Sequence, residues 1–86
     1  MSQYEIAFAR SARRELEALE THLVARVWAR IQALGAQPRP PGCRKVQGEE
    51  NVWRIRVGDY RVLYEIKDAT RIIDIVAVRH RRDAYR

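Results

Sequence analysis

The chain has 86 residues, enough for one domain and too few for two, and its 47% apolar share supports a small core and argues against a disordered chain. Seventeen Lys and Arg stand against 11 Asp and Glu, a formal net charge of +6, which points to nucleic acid or an acidic protein as the partner. A single cysteine, Cys43, excludes an internal disulfide framework and fits a reducing cytoplasm, no apolar run approaches the roughly 18 residues of a membrane span, and the opening MSQYEIAFARS is too polar for a signal peptide.

Tyr4, Ile6 and Phe8 alternate with Gln3, Glu5 and Ala7, a period of two that predicts a short strand. The spacing then changes. Ala12, Leu16, Leu19 and Leu23 define one helical face, and Val24, Val27, Ile31 and Leu34 form a second stripe with Trp28 beside it. A hairpin of two helices is preferred to one long helix, jointed at Glu20-Thr21-His22 with Thr21 as the second helix's cap. Gly35 is expected to cap that helix at its C-terminus, and residues 37–42, QPRPPG, form a rigid connector. Asn51 to Ile66 reads as a β-hairpin turning at Gly58-Asp59, where Gly in first place suits a II′ turn. After a turn at Asp68–Arg71, the run IIDIVAV (Ile72–Val78) reads as a buried central strand, and Arg79 to Arg86 as a basic tail. The order β-α-α-β-β-β predicts an α+β fold, one domain spanning 1–86, with two helices on one sheet face.

The hairpin carries the first functional signal. A two-residue turn pairs Val57 with Tyr60, Arg56 with Arg61, Ile55 with Val62 and Arg54 with Leu63. Trp53, Ile55, Val57, Tyr60, Val62, Tyr64 and Ile66 then share an apolar face, and Arg54, Arg56 and Arg61 cluster on the other, turned to solvent. Facing cations across strands cost roughly 0.2–1 kcal/mol, and an anion lodged between them reverses the sign. Arginines splayed in water are the alternative reading. All but two of the basic residues (Lys45 and Lys67) are arginine, whose planar fork suits phosphate. A GC-rich genome would account for arginine over lysine, but not for the net charge.

The tail adds Arg79, His80, Arg81, Arg82 and Tyr85. Cations interleaved with aromatic rings suit single-stranded RNA. The chemistry suggested is cleavage by the RNA's own 2′-hydroxyl, which needs a charged cradle for the phosphate, a proton acceptor and a proton donor. Arginine supplies the cradle and is a poor base, which leaves His80 and Tyr85 as the acid–base candidates. Each has a plainer alternative: a surface histidine, and a ring that packs the tail onto the sheet. One cysteine and two distant histidines give no metal-ligand spacing, no phosphate-binding glycine loop is present, and the two tryptophans read as core residues.

The stretch WRIRVGDYRVLYEI (Trp53–Ile66), the ending I-x-I-x-x-V-x-H-R-x-D-x-Y (Ile73–Tyr85), the opening Y-E-I-x-F, the A-R-R-E-L helix and the proline-rich connector together resemble the RelE/ParE toxin superfamily, and the RelE branch most. The resemblance covers nearly the whole chain. It implies a small sheet carrying two helices, and a toxin of a type II toxin–antitoxin pair that enters the 30S A site, cuts mRNA there without a metal or other cofactor, and is silenced by a cognate antitoxin. The positions it matches are Arg54 and Arg56 on the first hairpin strand, Arg61 on the second, Arg81 in the ending, and Tyr85. Taken with the charge pattern, the expected catalytic set is Arg61, Arg81, Tyr85 and His80, and the expected RNA-binding set is Arg54, Arg56, Lys45, Arg79 and Arg82. Family members often carry lysine at the positions of Arg54 and Arg56 and glycine at that of Arg79. The ParE branch, which shares the fold and inhibits DNA gyrase without cutting RNA, is the alternative.

Overall fold

The computed structural model describes residues 3–82. The elements run β1 (Glu5–Phe8), α1 (Arg10–Glu17), α2 (Thr21–Ala33), β2 (Arg44–Lys45), β3 (Val52–Val57), β4 (Tyr60–Lys67) and β5 (Ile72–His80). This is the expected α+β order with one short strand, β2, added just after the proline-rich connector. The sheet order is β1-β5-β4-β3-β2; β1 lies parallel to β5 and the other neighbours are antiparallel. The IIDIVAV run is therefore an interior strand, covered on both edges along its first half.

Both helices pack on one face. Ala12 and Leu16 of α1 and Val27 and Ile31 of α2, with Leu34 just beyond, meet Ile55, Val57, Val62, Tyr64, Ile66, Ile73, Ile75 and Val78 of the sheet. The helical stripes and the period-two face of the hairpin thus close on each other, and a fully buried aliphatic side chain of this kind adds about 1.5–3 kcal/mol. No helix among the described residues is long and apolar enough to cross a membrane.

Three local expectations change. Glu20, not Thr21, is the N-cap of α2, and it makes no side-chain capping bond; Thr21 is already helical. Leu34 is the C-cap, and Gly35 does not adopt a left-handed conformation. Its glycine answers a close approach instead: Tyr4 N donates to Gly35 O at 2.8 Å, and a Cβ at 35 would lie 3.0 Å from Tyr4 O. Trp28 is 37% exposed, its ring tilted against Phe8 at 5.9 Å, so it belongs to the surface rather than the core. Trp53 does pack against the core, half-buried.

The proline-rich connector is fastened at one end of the sheet. Buried Tyr64 donates its hydroxyl to Pro38 O at 2.7 Å, and burial pushes that hydroxyl's pKa up, so it stays a donor. Arg39 lies 5.3 Å over the Trp53 ring and donates to Asp68 at 3.0 Å, while Tyr4 donates to the other oxygen of Asp68 at 2.6 Å. The bond from Arg39, then that from Tyr4, holds the Asp68 carboxyl below its ordinary value.

Two outcomes are expected at this fastening. Tyr64→Phe leaves the Pro38 carbonyl unpaired and should lower unfolding free energy by about 1 kcal/mol in urea titration; an unchanged midpoint would mean the connector is held by other interactions. Because the folded pKa of Asp68 is depressed, its contribution is complete above the ordinary carboxylate value of about 4 and is lost as pH falls through the lower folded value. Acid unfolding of Asp68→Asn should accordingly be shallower than that of the parent over this range.

Candidate nucleic-acid interface

The hairpin register is the one its turn dictates. Gly58 has φ +60° and Asp59 does not share the positive φ, as a II′ turn requires. Arg56 sits opposite Arg61, Ile55 opposite Val62, Arg54 opposite Leu63. Strands alternate faces, so Arg54, Arg56 and Arg61 share the side of the sheet away from the helices.

A bulge in β5 extends this row. Tyr64 pairs with Ile75 and Leu63 with Ala77, which leaves Val76 without a counterpart. One extra residue reverses the phase of the strand. Ile73 and Ile75 point into the core before it, Val78 does so after it, and Arg79 turns to the arginine face opposite Arg61. Arg56, Arg61 and Arg79 thus occupy one line across three adjacent strands, roughly 4.8 Å apart from backbone to backbone.

Arg61 lies at the middle of the line and is not the solvent-facing side chain expected from alternation. It is only 8% exposed, the one buried charged residue among those described, and its Nε has no hydrogen-bond partner. Its neighbours carry the same charge. A buried guanidinium without a counter-charge is costly, and an anion placed beside it would offset that cost.

The same bulge sends His80 the other way. It pairs with Tyr60, and the two rings meet edge to face at 5.4 Å on the helix side, beside Leu23, Arg26 and Val57. His80 is therefore separated by the thickness of the sheet from Arg61. Arg81 follows the strand and is tied to the hairpin tip: its N donates to Asp59 O at 2.7 Å and its Nε stands 4.0 Å from the Asp59 carboxylate. Arg82 is exposed, and its N donates to His80 Nδ1 at 3.3 Å. Tyr85 lies outside the described residues.

Lys45 pairs with Trp53, which puts it on the helix-side face, away from the arginine row. Its neighbour Arg44, paired with Arg54, takes the place on the arginine face expected of Lys45. Beyond β2 the outer edge of β3 is uncovered, and there Arg30 of α2, Pro41, Gly42, Arg44, Arg54 and Arg56 surround a cleft of about 320 Å³ that no acidic residue lines. Arg44 escapes a reading of the sequence because a two-residue strand after a proline-rich connector leaves no periodic trace, and Arg30 because nothing in the α2 pattern shows that it meets that strand. Among the described residues no group of three His, Cys, Asp or Glu stands close enough to hold a metal ion.

The model of the ParE toxin family, toxins of the type II toxin–antitoxin system parDE, matches residues 6–85. The chain belongs to that family. The toxin is also similar to solved structures of RelE proteins, so the RelE/ParE superfamily indicated by its motifs holds. A chain of the RelBE2 toxin–antitoxin complex from Mycobacterium tuberculosis is 30% identical with TM-score 0.81, the match covering 96% of the toxin and 97% of that chain. A chain of the archaeal RelE–RelB complex from Pyrococcus horikoshii is 24% identical with TM-score 0.82, over 95% and 99%. Isolated RelE from Escherichia coli is 19% identical with TM-score 0.80, over 90% and 83%. These last two show the fold alone. No curated protein matches.

The electrostatics of the row give a stability prediction opposite to that of an ordinary buried residue. Arg61→Met keeps an unbranched stem and removes a buried, unpartnered charge between two like charges. It should raise unfolding free energy, by about 1 kcal/mol from the cross-strand repulsion alone. A lower denaturation midpoint for this variant would mean that the guanidinium is compensated within the fold and is not waiting for an anion.

Proposed function

We propose that this toxin is a ribosome-dependent endoribonuclease that cuts mRNA in the 30S A site, and that a cognate antitoxin blocks it. One observation carries the reading: Arg61, buried and unpartnered at Nε, is flanked by Arg56 and Arg79 on a face with no helix over it. A phosphodiester is the anion whose geometry and charge suit several guanidinium forks at once.

In this reading the 2′-hydroxyl of the codon attacks the adjacent phosphorus. The new 2′-O–P bond forms as the P–O5′ bond breaks, giving a cyclic phosphate and a free 5′-hydroxyl. One proton leaves O2′ and one reaches O5′. Negative charge grows on the phosphoryl oxygens, and Arg61 with Arg56 and Arg79 would stabilise it, a type of contribution worth about 10²–10³ in rate for one preorganised donor. Arg81, held at the hairpin tip by Asp59, approaches from the same end of the sheet. Guanidinium groups do not surrender protons, so proton transfer falls to Tyr85 rather than to His80, whose ring is on the helix side. The RNA strand continues over Arg54 into the cleft of Arg30 and Arg44. An antitoxin partner is supported by the M. tuberculosis relative, a component of a toxin–antitoxin complex.

The match to the ParE toxin family supports a second reading: the resemblance to the ParE branch implies a gyrase inhibitor without nuclease activity. Toeprinting on translating ribosomes distinguishes the two. A-site cuts made by the parent protein and lost in Arg61→Ala support the nuclease. Intact mRNA together with inhibited supercoiling supports the gyrase reading and overturns this one.

The cleft gives a graded test. Arg30→Ala/Arg44→Ala should weaken binding of a non-cleavable RNA oligonucleotide and flatten its salt dependence, by about 0.7 in log–log slope for each phosphate no longer neutralised. An unaltered slope would place the RNA elsewhere.

A further inference from the structure

We propose that Glu15 is a positioning residue of the phosphate site, holding Arg79 in line with Arg61; the proposal rests on the nuclease reading above. β1 covers β5 only along Ile72–Ile75, so on that side no strand among the described residues lies beside β5 from the bulge to His80. The chain leaves β1 at Phe8 and enters α1 at Arg10, which lays the helix against that uncovered edge. From the second turn of α1, Glu15 reaches over with both oxygens. Oε1 accepts the backbone N–H of Val78 at 2.9 Å, and Oε2 accepts Nε of Arg79 at 3.2 Å.

These two bonds are coupled by chemistry. The Val78 bond pins the strand immediately after the bulge, where the backbone has just changed phase. The Arg79 bond then fixes the next side chain by its Nε. Among the described residues, neither terminal nitrogen of Arg79 makes a hydrogen bond, so the end of the fork is left for an incoming ligand. Both side chains are partly shielded, at 30% and 37% exposure, so the ion pair is not a fully solvated surface contact. Glu15 is also the carboxylate paired with a member of the Arg56–Arg61–Arg79 line, and it offsets part of the repulsion that would drive Arg79 off that line.

Position and charge predict opposite effects of losing Glu15. If the carboxylate were merely a negative charge near an RNA surface, its removal would strengthen RNA binding and leave cleavage intact or faster. If it positions Arg79, its removal leaves binding unchanged or tighter while the chemical step slows.

The experiment measures single-turnover A-site cleavage on programmed ribosomes, together with affinity for a non-cleavable oligonucleotide. It compares the parent protein, Glu15→Ala, Glu15→Gln, Arg79→Ala and the Glu15→Ala/Arg79→Ala double variant, all at a temperature where circular dichroism shows each folded. Glu15→Ala and Arg79→Ala are expected to slow cleavage by similar factors, about 10- to 100-fold, and the double variant no further. Glu15→Gln keeps one oxygen acceptor and loses the charge, and should fall between. RNA affinity of Glu15→Ala should equal or exceed the parent's. A Glu15→Ala rate equal to that of the parent overturns the role of Glu15 and leaves the nuclease reading standing, as does multiplicative loss in the double variant. A parent protein that makes no A-site cut overturns the nuclease reading and this proposal with it.

Discussion

Because Gly58 takes a positive φ and the chain turns back in two residues, Arg56 has no place to lie except opposite Arg61. Every charge on the open face inherits its position from that register. A slip of one residue would put the two strands out of phase, carrying either Ile55 and Val57 or Val62 to solvent and the arginine of that strand into the core, so burial of the apolar face locks the repulsive pair in place. The β5 bulge then adds Arg79 to the same line. The energy of the helix-side core, with Val27, Ile31, Val62, Ile73 and Ile75 fully buried, sustains an arrangement on the other face that is unfavourable by itself.

What can be read from the sequence depends on where a period is visible. The hairpin alternates apolar and charged residues around a recognisable turn, so its pairing, faces and core members are legible to the residue. The two helical stripes are legible for the same reason, and their caps are not: Glu20 and Leu34 end α2 without the side-chain or glycine signals that usually mark a cap. The opposite case is Ile72–Val78. Apolar at nearly every position, it carries no phase, and a bulge inside it is invisible. Unbroken alternation from Ile73 and Ile75 would have carried Arg79 inward and His80 outward to the arginines. The extra residue at Val76 exchanges them, which is why His80 looks like a neighbour of Arg61 in sequence and lies on the other side of the sheet. Arg44 and Lys45 exchange roles for a related reason, since one pairing with Arg54 in a two-residue strand decides which of them faces the row.

The acids of the chain are not spread evenly over its cations. Asp68 engages Arg39 at the connector, Asp59 stands near Arg81 at the hairpin tip, and Glu15 takes the edge of β5 with Arg79. Asp68 and Asp59 fix cations away from the line or at its border, and Glu15 holds the arginine at its end. None reaches Arg61, whose Nε is left without a hydrogen bond and almost without access to water. Arg56, Arg61 and Arg79 thereby stand on hydrogen-bonded strands rather than on loops. Rigid elements hold charged groups at fixed spacing, and fixed spacing is what separates a phosphate seat from a merely basic surface.

The same geometry constrains what can neutralise the toxin. A partner that covered only the helices would leave the arginine line untouched, and one that covered the line without bringing carboxylates would seal Arg56 and Arg61 without a counter-charge, at a large desolvation cost. An antitoxin acting at this site would therefore have to supply acidic side chains in register with Arg56 and Arg61, at about the strand spacing. On the nuclease reading, RNA would meet the same demand with its phosphates, substrate and antitoxin would compete for one row, and inhibition would need no conformational change in the toxin.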